Sequence, residues 1–337
     1  MVDKPRTMTP QPDLSISLVS LNRPDLAHQC LTALEENTTA IAYQVHLVAH
    51  EYDPFALSEL IARHPHVIVH QVSGTRGYSQ NNNVAIRAAR GRFVAILNDD
   101  TVVGNDLFGT LVRFLDEHPD VVAVCPVLRN PDGSLQMGFR GRFTPLSFVA
   151  SELRIDRLLP RQWAVRLGAF DRPWLPVDRG NAMDIEAGTG ACFVARKKAL
   201  EAIGFLDEDY FLGPDDIDWT VRLRKRAGRV VLLPNANLIH LRGATLGSNY
   251  DAVVPAVYAG SYTFFRRHHS RLAEWSVRIG LGFVWSALLT LGWAILGAIS
   301  HSRRASMMRR ARWNCVRFAF SMEPSPSVFA RVRSGRD

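Results

Sequence analysis

Two adjacent carboxylates, Asp99 and Asp100, end an apolar run, Phe93-Val94-Ala95-Ile96-Leu97-Asn98. Side by side they repel each other unless a cation or donor groups lie between them. Holding a hard divalent cation through oxygen ligands is the chemistry open to such a pair. A solvated turn that caps the next helix is the plain alternative. A second acidic cluster, Asp215-Asp216-Ile217-Asp218, follows Gly213-Pro214 and opens a helical pattern. Carboxylates at a helix start are kept ionised by the helix dipole, as a proton acceptor must be. They serve equally well as caps. Gly188-Thr189-Gly190 is a small-residue turn that lets backbone approach a ligand closely, or simply turns. His240, after the last apolar run, has the chemistry of a ligand or of a satisfied structural residue. Arg222 and Arg224 either meet phosphate or face solvent.

The elements that position these residues alternate. Leu14–Ser20 reads as a first strand, ending at Leu21-Asn22-Arg23-Pro24, with helical periodicity from Asp25 through Leu34. Val45–Ala49 and Val67–His70 are further strands, separated by a helix that ends near Ala62. The polar loop Gly74-Thr75-Arg76-Gly77-Tyr78-Ser79-Gln80-Asn81-Asn82-Asn83 runs into a helix over Val84–Ala89, and Phe93–Leu97 follows as a strand. Such alternation predicts a parallel sheet with helical crossovers, an α/β, Rossmann-like half. Carboxylates at the carboxyl end of such strands sit where open α/β sheets bind ligands. A helix over Asp106–Glu117, a strand over Val121–Val127, a short helix over Lys197–Ile203, a helix over Trp219–Ala227 and a strand over Val230–Leu233 complete the pattern, with His240 in a polar turn. Residues 129–185, rich in Arg, Pro and Trp, read as an irregular excursion over the active face.

The 337 residues, 47% hydrophobic and 21% charged, describe a folded chain with a sizeable core. Much of the net charge of +8 lies after residue 262 and no nucleic-acid motif is present, which points to an anionic membrane surface or phosphate groups and not to nucleic acid. Cys30, Cys125, Cys192 and Cys315 are far apart, without metal or disulfide spacing, and read as reduced, buried thiols. Residues 1–13 are polar, contain Pro5, Pro10 and Pro12, and carry no secretory-signal pattern, so the catalytic part is expected in the cytoplasm. From Ile279 to Ile299 the chain is apolar apart from Ser286 and Thr290, a length that suits a bilayer crossing. Arginines flank it on both sides: Arg266, Arg267, Arg271 and Arg278 before, Arg303, Arg304, Arg309, Arg310 and Arg312 after. Charge on both sides fixes no orientation and fits a single pass or a helix lying in one leaflet. Trp275, Trp285, Trp293 and Trp313 add interface anchors.

Taken in order, Ser20-Leu21-Asn22-Arg23, the Gly77 to Asn83 loop, Leu97-Asn98-Asp99-Asp100, Gly188-Thr189-Gly190-Ala191, Gly204-Phe205-Leu206-Asp207-Glu208 with Asp215-Asp216-Ile217-Asp218, and His240 resemble the family-2 glycosyltransferases. Within them the chain is most similar to the rhamnosyltransferase-like branch that builds bacterial surface polysaccharides. The resemblance spans residues 14–245 and implies a GT-A fold and inversion at the anomeric carbon. It also implies a nucleotide-sugar donor (dTDP-rhamnose or a UDP-sugar), Mg2+ or Mn2+, and a lipid-linked saccharide acceptor at the cytoplasmic face of the cell membrane. By position in the family's motifs, Asp100 and His240 are expected metal ligands, and Asp216 the general base with Asp215 orienting it or the acceptor. Ser20, Asn22, Arg23, Glu51, Gln80, Asn83, Asn98, Asp99, Gly188, Thr189 and Gly190 are the expected donor-binding residues.

The chain departs from the family pattern twice. Asn98 stands where the metal motif usually opens with Asp, and offers a neutral carbonyl oxygen instead. Ala49-His50-Glu51 stands where an Asp usually reads the base, leaving Glu51 or Asp53 for that role. These departures keep a catalytically inactive sugar-nucleotide-binding or assembly-scaffold protein as the alternative. A nucleotidyltransferase would need a basic glycine loop at its first strand, which Asn22-Arg23-Pro24 is not. The expected division is a flexible leader over 1–13, a GT-A domain over 14–245 and a basic, apolar helical tail over 246–337 for membrane association.

Overall fold

The computed structural model describes residues 11–136, 139–140, 143–155, 158–160, 163, 181–241, 250–300 and 302–334. The first ten residues of the expected leader and much of the 129–185 excursion lie outside the described residues.

The amino-terminal half follows the alternation in the sequence. Strands β1 (Leu14–Leu21), β2 (Tyr43–His50), β3 (Ile68–Val72) and β4 (Phe93–Asn98) are linked by helices α1 (Pro24–Asn37), α2 (Pro54–Arg63) and α3 (Tyr78–Ala88). These strands pair in parallel, in the order β3-β2-β1-β4. Their near-continuous apolar runs are what a sheet covered on both faces requires, and β1 and β4 are buried almost throughout. Helix α3 starts six residues before the expected Val84 because Gly77 caps it: Gln80 Oε1 accepts from Gly77 N at 2.9 Å.

The sheet then departs from purely parallel order. After β5 (Thr101–Val102) and α4 (Leu107–Glu117), β6 (Val121–Arg129) is separated from β4 by β10 (Cys192–Arg196), which runs antiparallel to both. Short strands β7 (Phe139–Arg140) and β9 (Ala187–Gly188) pair separately, and β8 (Met183–Asp184) edges the main sheet. Helices α5 (Pro145–Glu152) and α6 (Lys197–Ala202) flank these strands. Helix α7 (Asp215–Arg226) is followed by β11 (Arg229–His240), parallel to β6.

Strand β11 corrects the expected strand of Val230–Leu233. A register shift between Leu233 and Asn237, around Pro234, bulges the strand without ending it. His240 therefore ends a strand instead of lying in a turn, and it pairs with Thr101 of β5. This pairing brings the two halves of the site together.

The carboxyl-terminal elements are α8 (Tyr250–His268), α9 (Arg271–Val277), a π-helical stretch (Arg278–Trp285), α10 (Ser286–Ser300), α11 (Arg303–Phe318) and α12 (Ser325–Ser334). Helix α8 buries twelve of its residues. Tyr258, Tyr262, Phe264 and Phe265 share one apolar cluster with Tyr210 and Ile217 of the acidic-turn region and with Val277, Leu281 and Cys315. Each such side chain contributes about 1.5–3 kcal/mol on burial, so α8 is core. The expected boundary at 245/246 thus cuts through a continuous core. A sequence window sees apolar residues in α8 but not the partners that cover them.

Candidate active site

Strand β4, in the interior of the sheet, carries Asn98, Asp99 and Asp100 at its carboxyl end, and both aspartates are buried. Asp99 Oδ1 accepts from Arg23 Nη2, at the turn after β1. Burial pushes the Asp99 carboxyl up to about 6, against the opposing pull of the Arg23 charge.

Asp100 Oδ1 lies 3.2 Å from His240 Nε2 yet has no hydrogen-bond partner. The neighbours of the ring orient it from behind. Gln136 Nε2 donates to Asn130 Oδ1 at 2.8 Å and to the His240 carbonyl at 3.0 Å, which orients the amide. Its Oε1 then faces His240 Nδ1 at 2.6 Å and accepts the ring proton, leaving Nε2 as a lone pair. A buried carboxylate oxygen and a ring nitrogen 3.2 Å apart are a pair that could hold a cation. The buried atoms Asp99 Oδ2, Arg23 Nε and Arg23 Nη1 also lack partners, so orphan polar groups collect at one place. Among the described residues no group of three or more His, Cys, Asp or Glu is placed to hold a metal ion. One carboxylate and one imidazole would leave most of the coordination shell of a hard divalent cation to other oxygen ligands.

The second acidic cluster opens α7, as expected. Asp215 is buried, accepting from Gly213 N at 2.7 Å and from Ser79 Oγ at 3.3 Å. Burial and the neighbouring Asp216 charge push its carboxyl well above the ordinary range. Asp216 is only half-buried, and its Oδ2 lies 3.4 Å from Gly190 N. Tyr78 joins the two clusters: its hydroxyl lies 3.2 Å from Asn98 Oδ1 and bonds the Gly190 carbonyl. Asp218 turns away from the site, held by Arg222 Nε at 2.7 Å and His268 Nε2 of α8 at 2.7 Å.

Several expected donor residues have other work. Both ends of the Asn83 amide are taken, by Leu206 N at 3.1 Å and by the Leu206 carbonyl and Glu208, so Asn83 staples α3 to the Gly204–Glu208 loop. Gln80 caps α3. Gly188 is buried, and a Cβ there would lie 2.8 Å from Cys125 Sγ, so its small size serves packing beneath the site. Arg224 pairs with Glu186. Asp53 caps α2 through Phe55 N and Ala56 N. Glu51 Oε1 accepts from Gly74 N at 2.6 Å, and Asn22 Oδ1 from Asp53 N at 3.1 Å. Ser20 bonds the Tyr52 hydroxyl at 2.6 Å, while Thr189 Oγ1 accepts from Ala191 N at 3.3 Å. Sequence reasoning missed Gln136, Tyr52 and Tyr78. Tyr78 lies inside the polar loop already singled out, whereas Gln136 is an ordinary residue of an irregular stretch.

Comparison with known proteins bears on this geometry. Residues 10–252 match the sequence profile of the family described as glycosyltransferase like family 2. The chain is 25% identical over 237 residues to the N-acetylglucosaminyl-diphospho-decaprenol L-rhamnosyltransferase of Mycobacterium tuberculosis, covering 65% of this chain and 66% of that protein. It is 26% identical over 260 residues to the O-antigen biosynthesis protein RfbC of Myxococcus xanthus, covering 76% of this chain and 19% of RfbC. The chain thus spans just under two thirds of the first relative and about a fifth of the second. Among solved structures, the mannosyltransferase PcManGT from Pyrobaculum calidifontis, in complex with GDP-Man and Mn2+, aligns with a TM-score of 0.53 at 15% identity. That alignment covers 99% of this chain and 92% of PcManGT. GalNAc-T7 with UDP, GalNAc and Mn2+ aligns with a TM-score of 0.54 at 14% identity, covering 77% of this chain and 51% of that one. At these identities the likeness speaks to the fold, which is the GT-A arrangement expected.

Proposed function

The chain belongs to glycosyltransferase family 2, and from that premise we propose that it is an inverting, metal-dependent glycosyltransferase of surface-polysaccharide synthesis. Its donor is dTDP-rhamnose or a UDP-sugar, and its acceptor a lipid-linked saccharide at the cytoplasmic face of the membrane. The names of the mycobacterial and myxococcal relatives support the rhamnosyl and polysaccharide parts of this reading. The observation that carries it is the collection of orphan polar atoms on Asp99, Asp100 and Arg23 beside the His240 lone pair.

Asp100 and His240 would hold Mg2+ or Mn2+, which supplies positive charge to the departing diphosphate. Arg23, with two buried nitrogens lacking partners, meets a phosphate or ribose oxygen of the donor. Ser20, Asn22, Asn98 and Asp99 line the nucleotide side, and Thr189 and Gly190 the sugar side. Asp216, the carboxylate of the second cluster that solvent reaches, takes the proton from the acceptor hydroxyl as it attacks. Asp215, buried behind it, orients that carboxylate and the Gly213 turn.

The test is donor binding followed by transfer. UDP- and dTDP-sugars should raise the melting temperature only with Mn2+ or Mg2+, by an amount equivalent to about 2.7 kcal/mol at a hundredfold excess over Kd. One of them should then glycosylate a prenyl-diphosphate-linked saccharide with inversion. Asp100→Ala should abolish the metal dependence of binding. Binding without turnover would favour the scaffold alternative, and metal-independent binding would remove Asp100 and His240 from their role.

A further inference from the structure

The helix Arg271–Ile299 is long and apolar enough to cross a membrane. About 20 residues at 1.5 Å each match a hydrocarbon core of about 30 Å, so length alone leaves crossing open. Its surroundings do not. On one face Glu274, Val277, Arg278, Leu281, Gly282 and Ser286 are buried against the protein. The opposite face, carrying Leu272, Ile279, Phe283, Leu288, Leu291 and Ile295, is exposed and has no charge from Ile279 onward. Helix α11 returns alongside α10 and the π-helical stretch before it. A Cβ at Gly297 would lie 3.6 Å from Ala305 Cβ, and one at Gly282 would lie 3.4 Å from Ala319 Cβ.

Helix α11 is itself tied to the catalytic half. Arg312 donates to Glu152 of α5 at 3.0 Å and to the Tyr258 hydroxyl of α8 at 2.6 Å, and Asn314 donates to the Asp251 carbonyl at 3.2 Å. Packed helices lie about 8–10 Å apart. If α10 stood across a bilayer, the Arg312–Glu152 pair and the exposed Arg309 and Arg310 would be drawn to hydrocarbon depth, where charges are strongly disfavoured. From Ile279 to Met322 the chain has no acidic residue, but it has Arg303, Arg304, Arg309, Arg310, Arg312 and Arg317. An apolar stripe bordered by arginines is complementary to an anionic lipid surface.

We infer that the segment from Leu272 to Ile299 does not span the membrane but lies flat in one leaflet of an anionic phospholipid bilayer, docking the enzyme through its exposed apolar stripe with both helix ends on the catalytic side. The inference rests on the membrane-surface part of the proposed function and is independent of donor and chemistry.

The full chain is added to preformed vesicles of phosphatidylcholine with phosphatidylglycerol, and to vesicles of phosphatidylcholine alone. Binding to the anionic vesicles should be at least about tenfold tighter, as electrostatic attraction at such a surface requires. Leu288 and Leu291 are 58% and 61% exposed, so the L288E/L291E double variant should keep its circular dichroism and melting temperature. It should lose at least about tenfold in vesicle binding. For topology, a cysteine is introduced by Arg304→Cys; the four native cysteines are buried. An external, membrane-impermeant maleimide should label vesicle-bound Arg304→Cys as fast as the free protein. Labelling that requires detergent would show a span and overturn the inference. So would unchanged binding by L288E/L291E, equal binding to neutral vesicles, or a lipid-free dimer that L288E/L291E dissociates. All these readouts stand whether or not nucleotide-sugar transfer is found.

Discussion

At the residue scale, the chemistry depends on which nitrogen of His240 carries the proton. Gln136 decides this by accepting from Nδ1, so Gln136→Leu should weaken Mn2+ binding, titrated with a nucleoside diphosphate present, by about 10–100-fold without unfolding the protein. Gln136→Glu keeps an acceptor and should retain most of the affinity. Asp215 adds a stability prediction. Its folded carboxyl sits above the ordinary value of about 3.9, so the native state binds the proton more tightly than the unfolded chain. The stability this gives is present below pH 4 and is lost as pH rises through the folded value. Asp215→Asn removes that dependence, and thermal melts should show it more stable than wild type at pH 8, with no gain at pH 4. Asp100, His240 and the acidic turn were picked out in the sequence by their resemblance to the family's motifs, since strand and helix ends alone left caps and structural roles equally open. Gln136 was not, because its role exists only once β11 has carried His240 to it. Asn83 misled for the converse reason: a polar residue in a glycine loop looks free for a ligand until Leu206 arrives to satisfy it.

At the scale of elements, two short pairings assemble the site. The two residues of β5 lock the chain just after Asp100 to the end of β11, and Leu241 N donates to the Asp100 carbonyl at 2.8 Å. Helix α8 presses on the turn before Asp215, where a Cβ at Gly260 would lie 2.7 Å from the Gly213 carbonyl oxygen, too close for any side chain. Gly260→Ala should therefore shift that turn. A denaturant series should show a loss of about 1–3 kcal/mol, and saturating-donor kinetics a fall in turnover larger than any change in nucleotide affinity. Unchanged turnover would mean the turn adapts without moving its aspartates. The β1–β4 alternation could be read from apolar periodicity alone. The extent of β11 could not, since Pro234 reads as a stop signal and only the bulged register shows that the strand continues.

At the scale of the whole molecule, the carboxyl-terminal helices pack onto the segment that leads into the acidic turn. Ser325 N donates to the Asp209 carbonyl at 3.2 Å, Ser325 Oγ accepts from Phe211 N at 3.2 Å, and Phe329 stacks on Phe211 with ring centroids 3.7 Å apart. Removing residues 272–337 should accordingly leave α8 uncovered. The truncated chain is expected to aggregate or melt far below the full protein, instead of being released as a soluble enzyme. A monodisperse truncation that still binds nucleotide with Mn2+ would restore the boundary drawn from sequence. The apolar Ile279–Ile299 run was legible as a membrane element, but its partner helix and its tie to Glu152 depend on contacts distant in sequence. The central claim, that a sugar is transferred to an acceptor hydroxyl whose proton Asp216 takes, is tested most directly by Asp216→Asn, which preserves size and hydrogen bonding but accepts no proton. Turnover with saturating donor and acceptor should fall by a factor of about 10²–10⁴ while donor affinity stays unchanged. Near-normal turnover in Asp216→Asn would contradict the account and leave the acidic turn as a helix cap.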